Sequence, residues 1–388
     1  MIEMVAMAED KGPKILVIGV GGGGNNAVDR MIEANLDGVT FAVVNTDAAV
    51  LDNSRADIKL QIGERLLKGY GAGADPLLGE AAATESESDI KQIVEGKDMV
   101  IVTCGMGGGT GTGASPVIAK ICRESGILTM GVVTTPFSFE NRPRMEAAKV
   151  GVEKLKENVD TLLVIPNDKL LTLSDKVYML DEAFVMADSV LRYTIEGITN
   201  IVFNRGIINI DFNDVKTTLA NKGIGHLGIG TVGENEQVID AMKKAVNSPL
   251  LETNIAGAEN LLVNTSGKIN LVELNNAIGY LREIAGEAVN IIWGTVTDTR
   301  NSATDVVVTV IATGMPEKEK RVGYAPPKVS VPTLTDISKR YVSETNIKPL
   351  NNPEIKVIHR EPAVSRPIKK EIQIPDFLRQ PERGRSTE

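Results

Sequence analysis

The stretch Gly105–Gly113 reads GMGGGTGTG and directly follows the apolar run Asp98–Cys104, DMVIVTC. An apolar run of this length predicts a buried strand, and Ala114–Glu124 after the glycines has the residue spacing of a helix. A glycine-rich turn between a strand and a helix lets a ligand approach the backbone closely. The free N–H groups of the helix N-terminus then favour a phosphate. The stretch therefore predicts a phosphate-binding loop.

A second glycine loop occurs earlier in the chain. Gly19–Asn26, GVGGGGNN, follows the strand-like run Lys14–Val20 and fits the pattern G-x-G-x-x-G. One such loop indicates a dinucleotide-binding enzyme, and Asp47 lies near the place of the acid that would bind the ribose. The lysine of a P-loop is missing, which excludes that class of nucleotide-binding protein. Two glycine loops at the ends of parallel strands could each bind a different part of one polyphosphate.

Strand-length apolar runs alternate with helical segments through the first half of the chain. This alternation is typical of a doubly wound parallel sheet, so we predict a Rossmann-like α/β domain. The predicted strands are Lys14–Val20, Val39–Asn45, Asp57–Ile62, Asp98–Cys104, Ile127–Thr134 and Asp160–Pro166. The predicted helices are Asn25–Ala34, Glu80–Val94, Ala114–Glu124 and Arg144–Glu157.

The pattern changes after this domain. Apolar residues recur every three or four positions from Val177 to Val202, which predicts a long helix buried between two bodies. A second, smaller α/β domain is predicted beyond it, with helices at 235–247 and 270–284. Its predicted strands are His226–Gly233, Asn260–Thr265, Asn290–Thr297 and Asp305–Ala312.

The last 73 residues differ in composition from the body. Residues 316–388 contain 15 Lys+Arg, 10 Asp+Glu and 10 of the 17 prolines, so the net charge is +5 there and −14 in residues 1–315. Few large apolar residues remain to offset the entropy of ordering, which predicts a disordered tail. We therefore expect a flexible N-terminus (1–11), a nucleotide-binding domain (12–176), a central helix (177–203), an assembly domain (204–315), a linker (316–370) and a terminal peptide (371–388).

Several classes of protein are disfavoured by composition. The apolar runs are shorter than the roughly 18–20 residues that span a bilayer, and the first residues lack the basic start of a secretory signal. Cys104 and Cys122 are too few for a disulfide framework, and we expect both to pack in the core. His226 and His359 are the only histidines, which disfavours histidine-based catalysis and a histidine-rich metal site. The acidic body also argues against a specific nucleic-acid partner.

Taken together, the motifs resemble the FtsZ family, the bacterial cell-division GTPases of the tubulin superfamily. The resemblance covers roughly residues 12–315 and begins with the first glycine run. The other matching segments follow in order: GGGTGTG (107–113), TTPFSFENRPR (134–144), IPNDKL (165–170), DEAFVMAD (181–188) and NIDFNDV (209–215). NRPR replaces a more basic stretch of the family pattern, which leaves the role of Arg142 open.

The resemblance implies that GTP is bound and hydrolysed to GDP. Glu140 and Arg144 would contact the sugar and phosphates, although a surface ion pair is the simpler alternative. Asp188 would accept the two N–H donors that guanine presents on one edge and adenine does not, beside Phe184, whose alternative role is core packing. Asn167 would lie close to the nucleotide, or it could be a turn residue. The full predicted set is Gly22, Gly23, Gly24, Asn25, Asn26, Gly107, Gly108, Gly109, Thr110, Gly111, Thr112, Glu140, Arg144, Asn167, Phe184 and Asp188.

The resemblance also implies a catalytic loop that enters the nucleotide site of the next subunit. Asp211 and Asp214 would orient water towards the γ-phosphate with help from Asn209, and Mg²⁺ would screen the phosphate charge. The alternative is that Asp211 or Asn213 caps a helix. A head-to-tail contact of this kind gives an open filament. Hydrolysis would then depend on assembly.

The tail peptide IQIPDFLRQ (372–380) resembles the partner-binding peptide of the same family. It would dock a membrane-tethering or regulatory division protein through Ile372, Ile374, Pro375, Phe377 and Leu378, unless its apolar residues cluster by chance. The expected location is the cytoplasm, at the mid-cell division site. Two other functions remain open, a Rossmann oxidoreductase and a nucleotide-binding scaffold without catalysis. The second glycine loop disfavours the first, and the pair Asp211 and Asp214 disfavours the second.

Overall fold

The structure is a computed structural model of the 388-residue chain. It describes residues 12–36, 38–172, 179–203, 211–233, 236–250, 255–267, 270–296 and 306–315. The predicted flexible N-terminus, the linker, the terminal peptide and Asn209 lie outside the described residues.

The described residues form ten strands and twelve α-helices. The strands are β1 (Ile15–Val20), β2 (Val39–Asn45), β3 (Ile58–Gln61), β4 (Met99–Gly105), β5 (Leu128–Thr135), β6 (Thr161–Pro166), β7 (Gly223–Val232), β8 (Asn260–Ser266), β9 (Asn290–Val296) and β10 (Val306–Thr313). The helices are α1 (Gly21–Glu33), α2 (Ala48–Asn53), α3 (Glu64–Leu67), α4 (Pro76–Glu85), α5 (Glu87–Val94), α6 (Thr110–Glu124), α7 (Arg142–Lys156), α8 (Asn167–Leu170), α9 (Leu180–Phe203), α10 (Phe212–Leu219), α11 (Val238–Val246) and α12 (Leu271–Ala285). None of these helices is long and apolar enough to cross a membrane.

The ten strands hydrogen-bond in the order β3-β2-β1-β4-β5-β6-β7-β10-β8-β9. The first six are parallel, as predicted, and their order is that of a dinucleotide-binding sheet. The order reverses between β1 and β4, and ligands bind outside the carboxyl ends of the strands at such a switch point. Both glycine loops begin there, because one follows β1 and the other follows β4.

The smaller half of the sheet is mixed in direction. β10 pairs antiparallel with both β7 and β8, whereas β8 and β9 are parallel. The smaller half joins the larger half where β7 pairs in parallel with β6. Three residue pairs form this connection, in which Thr161–Leu163 of β6 lie opposite Gly223–Gly225 of β7. Helices α11 and α12 cover this half with their own apolar core, which includes Met242, Leu281 and Trp293. The predicted α/β architecture is thus confirmed.

Helices cover both faces of the parallel sheet, so β1 and β4 are apolar almost throughout. Along β1, Ile15 and Val17 belong to the core shared with α9, while Leu16 and Ile18 belong to the core on the opposite face. This alternation is the two-residue period of a strand buried on both sides. Helix α9 has 24 residues and is about 36 Å long at 1.5 Å per residue. It is the predicted long helix.

Three helix predictions need correction. The helix expected from Asn25 begins at Gly21, and the helix expected from Ala114 begins at Thr110, so residues of the glycine loops themselves form the first turns. The helix expected over 80–94 is two helices that meet at Ser86. Ser86 Oγ accepts a hydrogen bond from Gly63 N (3.2 Å), a partner 23 residues away, and this contact fixes the break. The short helices α2, α3 and α8 were not predicted, and α10 corresponds to the capped helix considered as an alternative.

Candidate functional site

The two glycine loops touch each other through their backbones. A Cβ on Gly21, which has φ +69°, would lie 2.8 Å from the backbone nitrogen of Gly111. A Cβ on Gly23 would lie 3.3 Å from the nitrogen of Gly105. In the second loop, Gly107 N donates to Thr112 Oγ1 at 2.8 Å. The N-termini of α1 and α6 therefore lie side by side, where their positive dipole ends can act on one polyphosphate.

One glycine on each loop faces open space. Apart from adjacent residues of the same loop or helix, no heavy atom of the described part of the chain lies within 4 Å of a Cβ built on Gly22 or on Gly108. By contrast, a Cβ on Gly24 would collide with the carbonyl oxygen of Thr103. Close backbone packing thus requires Gly24 to be glycine, whereas Gly22 and Gly108 border a cradle that a ligand could fill.

The two asparagines of the first loop differ in their surroundings. Asn25 is buried, and with its amide nitrogen turned towards the loop it donates to the carbonyl oxygens of Gly19 (3.1 Å) and Gly21 (2.8 Å). Its side chain therefore holds the loop in shape. Asn26 is exposed beside it and free of that internal role.

Three aromatic rings gather beside the start of α9. Phe137 stacks on Phe139 with ring centroids 5.0 Å apart, and Phe184 meets Phe137 edge-on at 5.5 Å. Phe137 is fully buried, but Phe184 is 40% exposed and Phe139 is 56% exposed. Core packing thus accounts for only the buried part of the Phe184 side chain, and the exposed surface of its ring can contact a base.

Asp188 is held by a residue that the sequence analysis missed. Arg30 of α1 donates through Nε to Asp188 Oδ2 at 2.9 Å, and the Asp188 side chain is mostly buried. Burial raises the pKa of Asp188 from 3.8 to about 6, and Arg30 opposes that rise. One carboxylate oxygen is therefore fixed in direction. The partners are 158 residues apart in sequence, so no local pattern could have paired them.

The segment after β5 adjoins the second glycine loop. A Cβ on Gly107 would lie 2.7 Å from the carbonyl oxygen of Arg144. Glu140 Oε2 pairs with Arg144 at 2.9 Å, and its Oε1 accepts from Phe137 N at 2.9 Å. The simpler alternative of an ion pair is therefore present, with Glu140 mostly buried. Asn141 caps α7 by accepting from Arg144 N at 3.1 Å.

Asn167 lies at the carboxyl end of β6, beside the same segment. It is 4% exposed, and its Oδ1 has no hydrogen-bond partner among the described residues. A buried polar atom without a partner is costly, so a ligand donor at this point would stabilise it. Asn167 is also the first residue of α8, directly after Pro166, so the alternative of a local structural role remains beside this one.

Asp211 and Asp214 lie on a different part of the molecule. Asp211 caps α10, since its Oδ1 accepts from Asn213 N at 3.0 Å, and both carboxylates are exposed. The end of α10 is tied to the amino end of β6, where Thr161 Oγ1 donates to Leu219 O at 2.5 Å. The end of α9 also lies at this edge, with Phe203 against Gly38 just before β2. The glycine loops lie at the opposite, carboxyl edge.

Other candidate groups have structural roles. Asp47 caps α2, where its Oδ1 accepts from Ala49 N at 3.0 Å, so a local structural role accounts for this oxygen. Burial raises the pKa of Cys104 and of Cys122 to about 12, so both thiols stay neutral and pack in the core as predicted. Within the described part of the chain, no group of three or more His, Cys, Asp and Glu side chains could hold a metal ion.

Comparison with known proteins agrees with this geometry. The model of the tubulin/FtsZ family GTPase domain matches residues 14–175, and that of the FtsZ family C-terminal domain matches residues 223–316. An empty FtsZ dimer from M. jannaschii is 40% identical with a TM-score of 0.75, over 78% of this chain and 88% of that one. The chain belongs to the FtsZ family. The GDP-bound CetZ1 monomer from Haloferax volcanii shares the fold, at 24% identity and a TM-score of 0.66 over 78% of this chain and 95% of that one.

Family membership establishes the general activity. As an FtsZ-family protein the chain binds GTP and is a GTPase. The matched GTPase domain contains both glycine loops, Phe137, Phe139 and Asn167. Helix α9, which carries Phe184 and Asp188, lies between the two matched segments, as does Asp211.

Matched glycine substitutions test the cradle of this FtsZ-family site. Gly22→Ala should leave the melting temperature nearly unchanged, because its Cβ enters open space, but weaken GTP binding on the order of tenfold by filling the phosphate cradle. Gly24→Ala should instead destabilise the fold by about 1–3 kcal/mol through overpacking. Calorimetric melting and nucleotide titration separate the two effects. Unchanged GTP affinity in Gly22→Ala would show that the phosphates lie elsewhere.

Proposed function

We propose that this chain is a GTP-hydrolysing protein that polymerises head to tail, with each hydrolysis site completed by Asp211 and Asp214 of the adjacent subunit. One observation carries the proposal. The glycine loops and these two exposed carboxylates lie at opposite edges of the sheet, joined by the long helix α9. Such a molecule carries the two halves of a site on surfaces that can meet only between copies.

In the proposed mechanism, the residues of one chain bind the nucleotide and those of the next chain orient the attacking water. The N–H groups of both glycine loops hold the phosphates, and Glu140 and Arg144 contact sugar and phosphate. Asn167 accepts a hydrogen bond from the nucleotide through its Oδ1, which has no partner among the described residues. The incoming Asp211 and Asp214, assisted by Asn209, orient the attacking water. Phosphoryl transfer needs mainly positioning and electrostatics, so a loop from the next subunit can complete it. Mg²⁺ would neutralise phosphate charge, held chiefly by the nucleotide's own oxygens.

The rim of the nucleotide site supports assembly. Met179 is 68% exposed and Leu180 is 61% exposed. Phe184 follows Leu180 by about one turn of α9, and the exposed ring of Phe139 lies beside Phe184 with centroids 6.4 Å apart. Exposed apolar side chains that cluster mark an interaction surface. The similar structures include an FtsZ dimer and a protofilament of CetZ2 from Haloferax volcanii bound to GTPγS. We assign this rim to contact with the next subunit.

The cellular role follows from these parts. The filament would form the cytokinetic ring at mid-cell, in the cytoplasm against the inner face of the membrane, and act in septation. The tail would connect it to tethering proteins through Ile372, Ile374, Pro375, Phe377 and Leu378, with many weak contacts adding by avidity. We propose that the chain is divided into a GTP-binding domain (12–176), a central helix (177–203), an assembly domain (204–315), a linker (316–370) and a terminal peptide (371–388).

The proposal is tested by measuring phosphate release from GTP over a range of protein concentrations, with pelleting in parallel. Activity per subunit should be low at first and rise above a threshold at which protein begins to pellet, because the site is complete only between copies. Nucleotide occupancy measured at each concentration is the control. Constant activity per subunit at every concentration would contradict a shared site.

A further inference from the structure

A threonine outside the glycine loops touches the second loop through its hydroxyl. Thr46 follows β2 and is fully buried, and its Oγ1 lies 2.7 Å from Oγ1 of Thr110. Thr110 is the first residue of α6, directly after the three glycines. The sequence analysis did not single out Thr46, because 64 residues separate the two threonines.

The backbone of Thr46 is fixed on both sides. Its N–H donates to Asn45 Oδ1 at 2.8 Å, and its carbonyl oxygen accepts from Gly71 N at 3.3 Å. Gly71 belongs to a loop that also touches the second glycine loop, since a Cβ on Gly109 would lie 2.9 Å from Cβ of Ala72 and from the nitrogen of Asp75. Thr46 therefore has little freedom to move away from Thr110.

The direction of this hydrogen bond matters for an anionic ligand. A hydroxyl has one hydrogen to donate and two lone pairs. If Thr110 donates to Thr46, it turns lone pairs towards the ligand, and these repel a phosphate. If Thr46 donates, the hydrogen of Thr110 is free to point outwards, and the first bond polarises the second. A phosphate at the N-terminus of α6 selects the second arrangement.

We propose that Thr46 is a positioning residue for the nucleotide phosphates, which donates to Thr110 so that the Thr110 hydroxyl donates to a phosphate oxygen. The inference rests on the proposed assignment of Thr110 to the nucleotide site. Thr46 itself does not touch the nucleotide. Its effect should therefore appear only with ligands that carry phosphate and only while Thr110 has a hydroxyl.

The test compares GDP and guanosine binding by the full chain carrying Thr46→Val, Thr46→Ser, Thr110→Val or both valines. Thr46→Val should weaken GDP binding by about three- to tenfold, the range expected for the loss of one hydrogen bond between neutral groups, and leave guanosine binding unchanged. Thr46→Ser should restore GDP binding to within about twofold, since it keeps the hydroxyl. The double variant should bind GDP no more weakly than Thr110→Val, because effects through one contact are not additive.

A matched control is Thr129→Val. Thr129 is also fully buried, but its Oγ1 donates to Ile127 O at 2.9 Å near the start of β5, at the opposite edge of the sheet from the glycine loops. This change should leave GDP binding unaltered. If Thr46→Val fails to fold, Thr46→Ala against Thr46→Ser makes the same comparison.

Three outcomes would overturn the inference. Equal weakening of GDP and guanosine would mean that Thr46 only supports local packing. Additive losses in the double variant would mean that Thr46 acts independently of Thr110. Unchanged GDP binding in Thr110→Val would remove the phosphate assignment of the second loop itself, and the inference with it.

Discussion

Asp214→Ala is expected to lower the maximal rate of GTP hydrolysis about 100- to 1,000-fold while GTP affinity stays within about twofold of the original. Asp214 is exposed in the first turn of α10, at the opposite edge of the sheet from the glycine loops of its own chain. Its loss should therefore leave nucleotide binding intact. Phosphate release above the assembly threshold and nucleotide titration below it measure the two quantities separately.

Asp240→Ala is the matched control. Asp240 is the third residue of α11, as Asp214 is of α10, so both changes remove one acidic group from the favourable end of a helix dipole. The control should keep its full hydrolysis rate. Asp211→Ala is less informative, because Asp211 caps α10 and the lost cap costs about 1 kcal/mol.

Mixing two defective chains makes the test sharper. Asp214→Ala retains a functional nucleotide site, whereas Gly22→Ala retains a functional catalytic loop. The GTP concentration is kept low enough to fill the Asp214→Ala site but to leave the weakened Gly22→Ala site mostly empty. A filament containing both should place an intact loop against an intact nucleotide site at some interfaces and recover part of the activity. A mixture no more active than the sum of its parts would contradict catalysis across the interface.

Asp188→Asn should weaken GTP binding by about 100-fold or more and shift preference towards xanthosine triphosphate. A carboxylate accepts from both guanine donors, but an amide accepts on one atom and donates on the other. Xanthine presents a donor and an acceptor on the same edge, which fits the amide. A site that hydrogen-bonds its substrate rejects poor matches strongly. Competition between the two triphosphates measures the shift.

Asp181→Asn, on the first turn of the same helix, is the control and should keep the preference for guanine. Equal loss of both nucleotides in Asp188→Asn would mean that Asp188, with Arg30, only supports the packing of α1 against α9. A retained preference for guanine would place the base elsewhere.

The raised pKa of Asp188 adds a pH signature to this prediction. The buried carboxyl has a pKa of about 6, and only its ionised form can accept from both guanine donors. Guanosine affinity should therefore be constant between about pH 7 and pH 8, where guanine keeps its N1–H, and fall as the pH drops through 6, approaching tenfold per unit. Guanosine serves better than GTP here because it has no phosphates that titrate in this range. The Asp188→Asn variant should show no such slope.

Local sequence pattern was enough to predict much of the fold. Apolar strand runs and glycine turns placed β1, β4 and both loops, because burial on two faces forces near-continuous apolar residues. The break at Ser86 was missed, since it depends on a hydrogen bond to the distant Gly63. Arg30 and Thr46 were missed for the same reason, as each acts through a side chain brought near only by the sheet. Phe184 fits an apolar stripe, yet the structure leaves it half exposed.

The open space beside Gly22 and Gly108 has a consequence for reading mutational scans and natural variation. Folding alone does not require glycine at either position, since a methyl group there meets no neighbouring atom. A library sorted for stability should accept alanine at both, whereas one sorted for growth should reject it. At Gly24 the two screens should agree. Substitutions at these three positions could thus distinguish selection for folding from selection for nucleotide binding, without a structure of the nucleotide complex.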